Sequence, residues 1–180
     1  MPQIDISLEP VDRITVDALG KPGSRVFYIQ GSQGDQTVSL IIEKIQLQSL
    51  AIGVGEFLKE ISERFPQLAE PKDAVEEAAM VIIPPLDPLF RVGDIGLAYD
   101  DQREMACIIA KEMQDGENEE ERGVVRYWCT RDQLVALSRW AKIVIERGRP
   151  ICPQCQEPME PEGHFCPKKN GHKRAQNPSE

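Results

Sequence analysis

The sequence contains few of the patterns that mark membrane proteins, secreted proteins and the common hydrolases. No apolar run approaches the length of about 20 residues that crosses a membrane, and residues 1–5 lack the basic and then apolar start of a signal peptide. The chain has two histidines, both close to the C-terminus, and no G-x-S-x-G, H-E-x-x-H or phosphate-binding glycine loop. These absences predict a cytoplasmic protein that does not contact a membrane.

Positive charge is also scarce over most of the chain. The net charge is −9, and the segment from residue 147 to the end carries six Lys or Arg and four Asp or Glu, which gives it +2 and leaves −11 for residues 1–146. An acidic body repels nucleic-acid phosphates. A nucleic-acid partner is therefore expected to meet the C-terminal cations, although such a tail can equally well be merely solvated. The cations in question are Lys168, Lys169, Lys173 and Arg174.

The clearest chemical signal is a group of four candidate metal ligands near the C-terminus: Cys152, Cys155, His164 and Cys166. Two cysteines separated by two residues form half of a site locally, and residues 164 and 166 of an extended segment point to the same side. Three thiolates and one imidazole are the ligand set of a tetrahedral Cys3His zinc site. Because protein fills all four positions, the pattern favours a structural zinc ion over a catalytic one.

Other interpretations of these residues remain open. His172 is a second candidate for the fourth ligand, at C-x5-H spacing from Cys166. A redox Cys-x-x-Cys would normally join a strand to a helix, whereas this pair follows a helix and enters a proline-rich loop. A site without metal is the third alternative. The two remaining cysteines, Cys107 and Cys129, lie in apolar strand-like runs and are expected to be buried free thiols.

Hydrophobic periodicity predicts an α+β fold. Strand-like runs cover residues 3–8, 12–18, 25–30, 37–43, 90–99, 105–112 and 123–129. One amphipathic helix runs from about Leu47 to Phe65, and a second begins at the capping box of Thr130 and Gln133 and ends at Gly148. We expect a mostly antiparallel sheet with the two helices on one face, plus a C-terminal appendage similar to a zinc knuckle. Gly53 and Gly55 are expected to let the first helix pack closely on the sheet.

The predicted domain order has three parts. Residues 1–148 form the α+β domain, residues 149–174 form the zinc-binding module, and residues 175–180 form a disordered tail. Residues 66–88, with five prolines, are expected to cross the surface as an irregular connection. Each half of the α+β domain consists of strands followed by one helix, and Gln46-x-x-x-Leu50 is similar to Gln133-x-x-x-Leu137. Both an internal two-fold repeat and a chance likeness of two amphipathic helices explain this similarity.

Several short segments carry a family resemblance. They are residues 90–100 (FRVGDIGLAYD), 148–155 (GRPICPQC) and 162–167 (EGHFCP), together with Asn170-Gly171. The chain resembles, over nearly its full length, a bacterial family catalogued as a domain of unknown function, number 3090. The resemblance implies a single-domain cytoplasmic bacterial protein with a zinc site and no established activity. Gln156 stands where the family has glycine, and His172 stands where it has an aromatic residue, which favours His164 as the ligand.

The sequence therefore predicts a binding or adaptor protein whose zinc module contacts a protein or a nucleic acid. The alternative is a hydrolase-like enzyme with its site in a cleft between the sheet and the connection of residues 66–88, and a third hypothesis is a structural subunit of a larger complex. Acidic residues such as Asp94 and Asp100 are plentiful, but the sequence gives no basis for pairing them as a catalytic acid and base. No catalytic residue is assigned. The run from Gly93 to Gly96 is expected to mark a bulge or a bend in a strand.

Overall fold

Seven strands and two long helices lie within the part of the chain that the computed structural model describes, namely residues 3–114, 116, 122–149, 151–157, 159 and 164–168. This confirms the predicted α+β class. A short 3-10 turn, Glu77–Met80, interrupts the connection between the two halves. The elements are, in chain order, β1 (Asp5–Leu8), β2 (Arg13–Leu19), β3 (Val26–Gln33), β4 (Gln36–Ile42), α1 (Lys44–Arg64), β5 (Pro88–Asp100), β6 (Met105–Glu112), β7 (Val124–Cys129) and α2 (Arg131–Glu146).

The strands form one mixed sheet in the order β1-β7-β6-β5-β4-β3-β2. Two antiparallel meanders, β2-β3-β4 and β5-β6-β7, are joined by a parallel β4–β5 pair, and β1 lies parallel to β7. The expectation of a mostly antiparallel sheet is therefore wrong. The physical reason is the crossover through α1, because a helical connection returns the chain to the start of the neighbouring strand and allows parallel pairing.

The long strand β5 is shared by the two meanders. Its first residues pair with β4, and the part from Val92 to Asp100 pairs with β6. The register shifts between Val92 and Asp94, so the bulge predicted at Gly93 is confirmed. Glycine is required there, since a Cβ at Gly93 would lie 2.8 Å from the Met113 Cα.

Strong curvature brings distant strands of the sheet into contact. The Tyr127 ring of β7 packs on Gly31 of β3, although three strands separate them in the sheet order. A Cβ at Gly31 would lie 2.4 Å from the Tyr127 Cδ1, and the Tyr127 hydroxyl donates to the Val38 carbonyl at 3.3 Å. The short β1–β2 connection spans the same gap, because the Val11 N–H donates to the Trp128 carbonyl and the Asp12 N–H to the Ser32 carbonyl.

The two helices pack on each other and contribute to the same apolar cluster as the strands. The Ser138 hydroxyl of α2 donates to the Ala51 carbonyl of α1 at 2.8 Å, and the Trp140 indole N–H donates to the Val16 carbonyl of β2 at 2.9 Å. No helix in the described part of the chain is both long and apolar enough to cross a membrane.

The prediction that glycines let α1 approach the sheet closely is wrong. A Cβ added at Gly53 or at Gly55 would meet nothing within 4 Å. The residues of α1 that do face the core are larger: Leu47, Leu50, Ala51, Val54, Leu58 and Ile61.

The connection that follows α1 wraps around the β2 edge of the sheet. It first lies along α2, where the Lys72 N–H donates to the Asp132 carboxylate at 2.8 Å. The Thr15 hydroxyl of β2 then donates to the Met80 carbonyl, and Gln30 of β3 exchanges two hydrogen bonds with the Ile83 backbone, at 2.8 and 2.9 Å. These contacts hold an otherwise irregular segment against three elements.

Candidate metal centre

The end of α2 positions the metal cluster relative to the body of the protein. The Arg25 guanidinium, which precedes β3, donates to the Val144 and Ile145 carbonyls at 2.8 and 3.1 Å. These are last-turn carbonyls of the kind that lack an intrahelical partner. Gly148 packs on this guanidinium so closely that a Cβ would lie 1.9 Å from the Arg25 Nη2. The helix stop predicted at Gly148 is thus fixed by a residue far away in the sequence.

Four side chains then converge within a short stretch. The sulfur atoms of Cys152, Cys155 and Cys166 and a ring nitrogen of His164 all lie within 4.8 Å of one another. The Cys152 and Cys166 sulfurs are 3.9 Å apart, and the Cys155 sulfur is 3.2 Å from the His164 Nε2. A tetrahedral centre with metal–sulfur bonds of about 2.3 Å has sulfur–sulfur edges of about 3.8 Å. The four side chains therefore lie close enough to bind one metal ion.

A tight turn forms the first half of this cluster. The Gln156 N–H donates to the Cys152 carbonyl at 2.8 Å, and the Cys152 N–H donates to the Glu157 carbonyl at 2.9 Å. Gln156 has a φ of +60°, in the left-handed region that favours glycine. This conformation explains why glycine suits the position after the second cysteine, and it shows that glutamine occupies it at a cost in backbone energy.

The electrostatic surroundings favour a thiolate at Cys152. The backbone N–H groups of Cys155 and Gln154 point to its sulfur and lower the pKa of Cys152 to about 7. The pKa of Cys155 is raised, because desolvation and the neighbouring Cys152 and Cys166 thiols outweigh the lowering effect of the Glu157 N–H. Cys152 and Cys166 are buried, whereas Cys155 and His164 are partly exposed. One metal ion would allow all three sulfurs to be thiolates at neutral pH.

Comparison with known proteins identifies the family. The family model described as "Protein of unknown function (DUF3090)" matches residues 6–166, which is most of the chain and includes all four cluster residues. The chain belongs to this family. The family resemblance noted in the sequence is thereby confirmed. No curated protein and no solved structure matches the chain.

Several of the residues predicted for the DUF3090 site lie outside the described part of the chain. They are the rival ligand His172 and three of the four C-terminal cations, Lys169, Lys173 and Arg174. The choice between His164 and His172 thus remains a prediction, although the structure brings His164 to the three cysteines. Lys168 is described and exposed.

The other cysteines of this DUF3090 protein are free thiols in the core of the sheet. Cys107 and Cys129 are both buried. Burial raises the pKa of Cys107 to about 11 and the pKa of Cys129 to about 12, so both stay protonated at neutral pH. They pack as small apolar side chains, as predicted.

Asp94 and Asp100, which the sequence gave no basis for pairing, each form an ion pair in the structure. The Asp94 carboxylate pairs with Arg122 at 2.7 Å, and the Asp100 carboxylate pairs with Arg103 at 2.8 Å.

Between β2, α2 and the connection lies a cavity of about 130 Å³, at the place predicted for an enzymatic cleft. Its described lining has one carboxylate, that of Asp12, and neither histidine nor cysteine. This lining does not place a nucleophile beside a base.

Two kinds of contact at the site could not be found by sequence reasoning. The N–H groups that face Cys152 belong to the backbone, so no residue type signals them. Arg25 is 119 residues from its partner Val144, and nothing in its local sequence points to the end of α2.

Proposed function

We propose that this DUF3090 protein holds one structural zinc ion through Cys152, Cys155, His164 and Cys166, and that the zinc-stabilised module binds a protein partner. The observation that supports the proposal is the convergence of four protein donors, which leaves no coordination position for a water or a substrate. In this proposal the chain is a cytoplasmic binding or adaptor protein without catalytic residues.

The donor set argues for zinc among the common metals. Thiolates are soft ligands, which Ca²⁺ and Mg²⁺ avoid, and a tetrahedral site with three sulfurs and one imidazole is typical of zinc. Such a centre carries a net charge of about −1, because three thiolates exceed the charge of Zn²⁺ by one. Cationic residues flank the cluster on both sides, at Arg149 and Lys168.

Two apolar side chains beside the ligands support a role in binding. Ile151 precedes the buried Cys152 and is 58% exposed, and Phe165 precedes the buried Cys166 and is 76% exposed. A short segment of this kind has no core of its own, so a metal ion can hold its backbone while the apolar side chains remain at the surface. Exposed aromatic groups on a rigid backbone are typical of the centres of protein interfaces.

A nucleic acid is the second candidate partner, because the C-terminal segment is the cationic part of an acidic chain. Its contacts would be made by Lys168, Lys169, Lys173 and Arg174. Binding of this kind weakens steeply as the salt concentration rises, whereas an apolar protein contact through Phe165 does not.

Metal analysis tests the zinc site. The purified chain should contain about one zinc ion, and Cys155→Ser should lower the zinc affinity by more than about 100-fold, since even the loss of a group that only hydrogen-bonds a metal ligand costs about 10- to 100-fold. Cys107→Ala is the matched control, because this thiol is buried in β6 away from the cluster and its loss should leave the zinc content unchanged. A stoichiometric iron centre, or a chain without metal, contradicts the proposal.

The binding role is tested with the tagged full-length chain in its own cells. Phe165→Ser and Ile151→Ser should remove a protein that co-purifies with the wild-type chain, while the control Ile52→Ser, which changes an equally exposed isoleucine on α1, should retain it. Partners that persist in both module variants contradict the proposed contact. Salt-sensitive binding of single-stranded RNA that depends on the four cations favours the second candidate.

A further inference from the structure

A cleft that shares no residue with the metal cluster lies beside the C-terminal part of α1. We propose that the cleft between the C-terminal part of α1 and the end of β5 binds a small organic cation with an apolar body, such as an alkyl- or arylammonium compound. This inference does not depend on the zinc module. The cleft has a volume of about 380 Å³, which lies in the range of small-molecule sites.

Aromatic rings form the walls of this cleft. Phe57 of α1 lines the cleft, as do Phe65 at the end of that helix and Tyr99 of β5. The Phe65 and Tyr99 ring centroids are 5.7 Å apart at an interplanar angle of 50°. Ile61 and Leu97 add aliphatic surface. Tilted aromatic rings around a cavity are the arrangement that recognises quaternary and alkylated ammonium groups, because the ring faces are electron-rich.

The rim of the cleft is acidic overall. Glu60 and Asp101, both exposed, contribute two carboxylates, and Arg64 contributes one cation. The Arg64 guanidinium carbon lies 5.4 Å from the Phe65 centroid, so the protein's own cation already occupies a ring face of the cleft. The surrounding body carries most of the negative charge of the chain, which raises the local concentration of cations and lowers that of anions.

Tyr99 provides an unused polar group at the same place. Its hydroxyl oxygen is shielded from solvent and has no hydrogen-bond partner among the described residues. Burial raises the pKa of Tyr99, so the hydroxyl stays protonated and available as a donor. A buried polar group without a partner is uncommon in folded proteins and often marks a functional position.

The sequence did not indicate this site. Its residues come from two separate segments, 57–65 and 97–101, and neither segment has a recognisable motif. An anionic ligand is disfavoured, because the single Arg64 is outnumbered by the two carboxylates of the rim.

Three probes of similar shape and different charge test the proposal with the full-length chain. Benzyltrimethylammonium should shift the backbone amide NMR signals of residues 57–65 and 97–101. It should bind at least about fivefold more tightly than benzyl alcohol, and benzoate should cause no shift. Equal binding of the three probes, binding of none, or shifts confined to other residues overturns the proposal.

Variants of the charged residues at the rim test whether the cleft prefers a cation to an anion. Glu60→Gln and Asp101→Asn should each weaken benzyltrimethylammonium binding about three- to tenfold. Glu56→Gln is the matched control on the same helix, because Glu56 is exposed but does not line the cleft, and its effect should stay below about twofold. Arg64→Gln should strengthen binding by removing the competing cation. If Arg64→Gln weakens binding, or if Glu60→Gln acts no more strongly than Glu56→Gln, the cleft is not a cation site.

Discussion

At the scale of single residues, Gln156 has a backbone conformation that is more favourable for glycine. Its φ of +60° costs a side chain with a Cβ about 1 kcal/mol relative to glycine. We expect Gln156→Gly to relieve this strain in the folded metal site and to raise the zinc affinity about fivefold, the factor that corresponds to about 1 kcal/mol. Competition with a chromophoric zinc chelator measures the change.

The control for this prediction is Gln156→Ala, which removes the glutamine side chain but keeps the Cβ that causes the strain. It should leave the zinc affinity close to that of the wild-type chain. A gain in affinity that is equal for the alanine and glycine variants would show that the side chain, and not the backbone conformation, limits the site.

At the scale of elements, α1 contains two glycines for which the fold gives no packing reason. Gly53 and Gly55 lie in the interior of the helix, and a Cβ at either position would meet nothing within 4 Å. Because alanine loses less backbone freedom on folding than glycine, Gly53→Ala and Gly55→Ala should each raise the free energy of unfolding by about 0.5–1 kcal/mol. Urea denaturation followed by circular dichroism measures this gain.

Gly148, at the end of α2, is the matched control. Its replacement by alanine is expected to change the free energy of unfolding in the opposite direction. A Cβ there would meet the Arg25 guanidinium at 1.9 Å and displace it from the two carbonyls it caps. We expect Gly148→Ala to lower the free energy of unfolding by about 1–2 kcal/mol, since hydrogen bonds from a charged group are lost. Stabilisation by all three alanines would contradict the role given to Arg25.

The elements also show why the two helices look alike in the sequence. Gln46 and Gln133 each accept a hydrogen bond from the N-cap backbone N–H of their helix, at 2.9 Å in both cases. Gln46 also donates to the Gly93 carbonyl in the second half, and Gln133 donates to the Val11 carbonyl in the first half. This reciprocal pattern agrees with an internal two-fold repeat, which stays a prediction, as do the predicted domain boundaries.

At the scale of the whole molecule, the curved sheet contains one close approach between distant strands. Gly31 lets the buried Tyr127 ring lie against the backbone of β3, where a Cβ would be 2.4 Å from the ring. Neither the β3 backbone nor the fully buried tyrosine can move freely, so Gly31→Ala should destabilise the protein by about 2–3 kcal/mol or more. The expected result is a lower midpoint of urea unfolding.

Gly96→Ala is the control, because Gly96 lies in β5 of the same sheet and a Cβ there would meet nothing within 4 Å. Its effect on the free energy of unfolding should be small. Equal losses at Gly31 and Gly96 would show that glycine matters to the strands in general and that the contact with Tyr127 does not.

The sequence predicted the elements better than their arrangement. The strand runs, the capping box of Thr130 and Gln133, and the bulge at Gly93 follow from patterns a few residues long, and the structure contains them. The predicted strand runs end at residue 30 and resume at residue 37, yet the turn is confined to Gly34 and Asp35 and Gly31 belongs to β3. Turn position depends on strand register, which a local pattern fixes only weakly.

The candidate metal site was predictable for the same reason. Cys152 and Cys155 are close in sequence, and the second pair follows within about ten residues, so ligand spacing alone predicts that they meet. The aromatic cleft was not predictable, because Phe65 and Tyr99 meet through the crossover between β4 and β5.

The amino-acid sequence by itself determined the α+β class, the start of α2 and the gathering of three cysteines and a histidine, because hydrophobic periodicity, capping and ligand spacing act over a few residues. The tertiary structure decided the parallel pairing of β4 with β5, the contact of Tyr127 with Gly31 and the cleft between α1 and β5. These features depend on which distant surfaces bury each other, and that is settled only when the whole chain packs around one core.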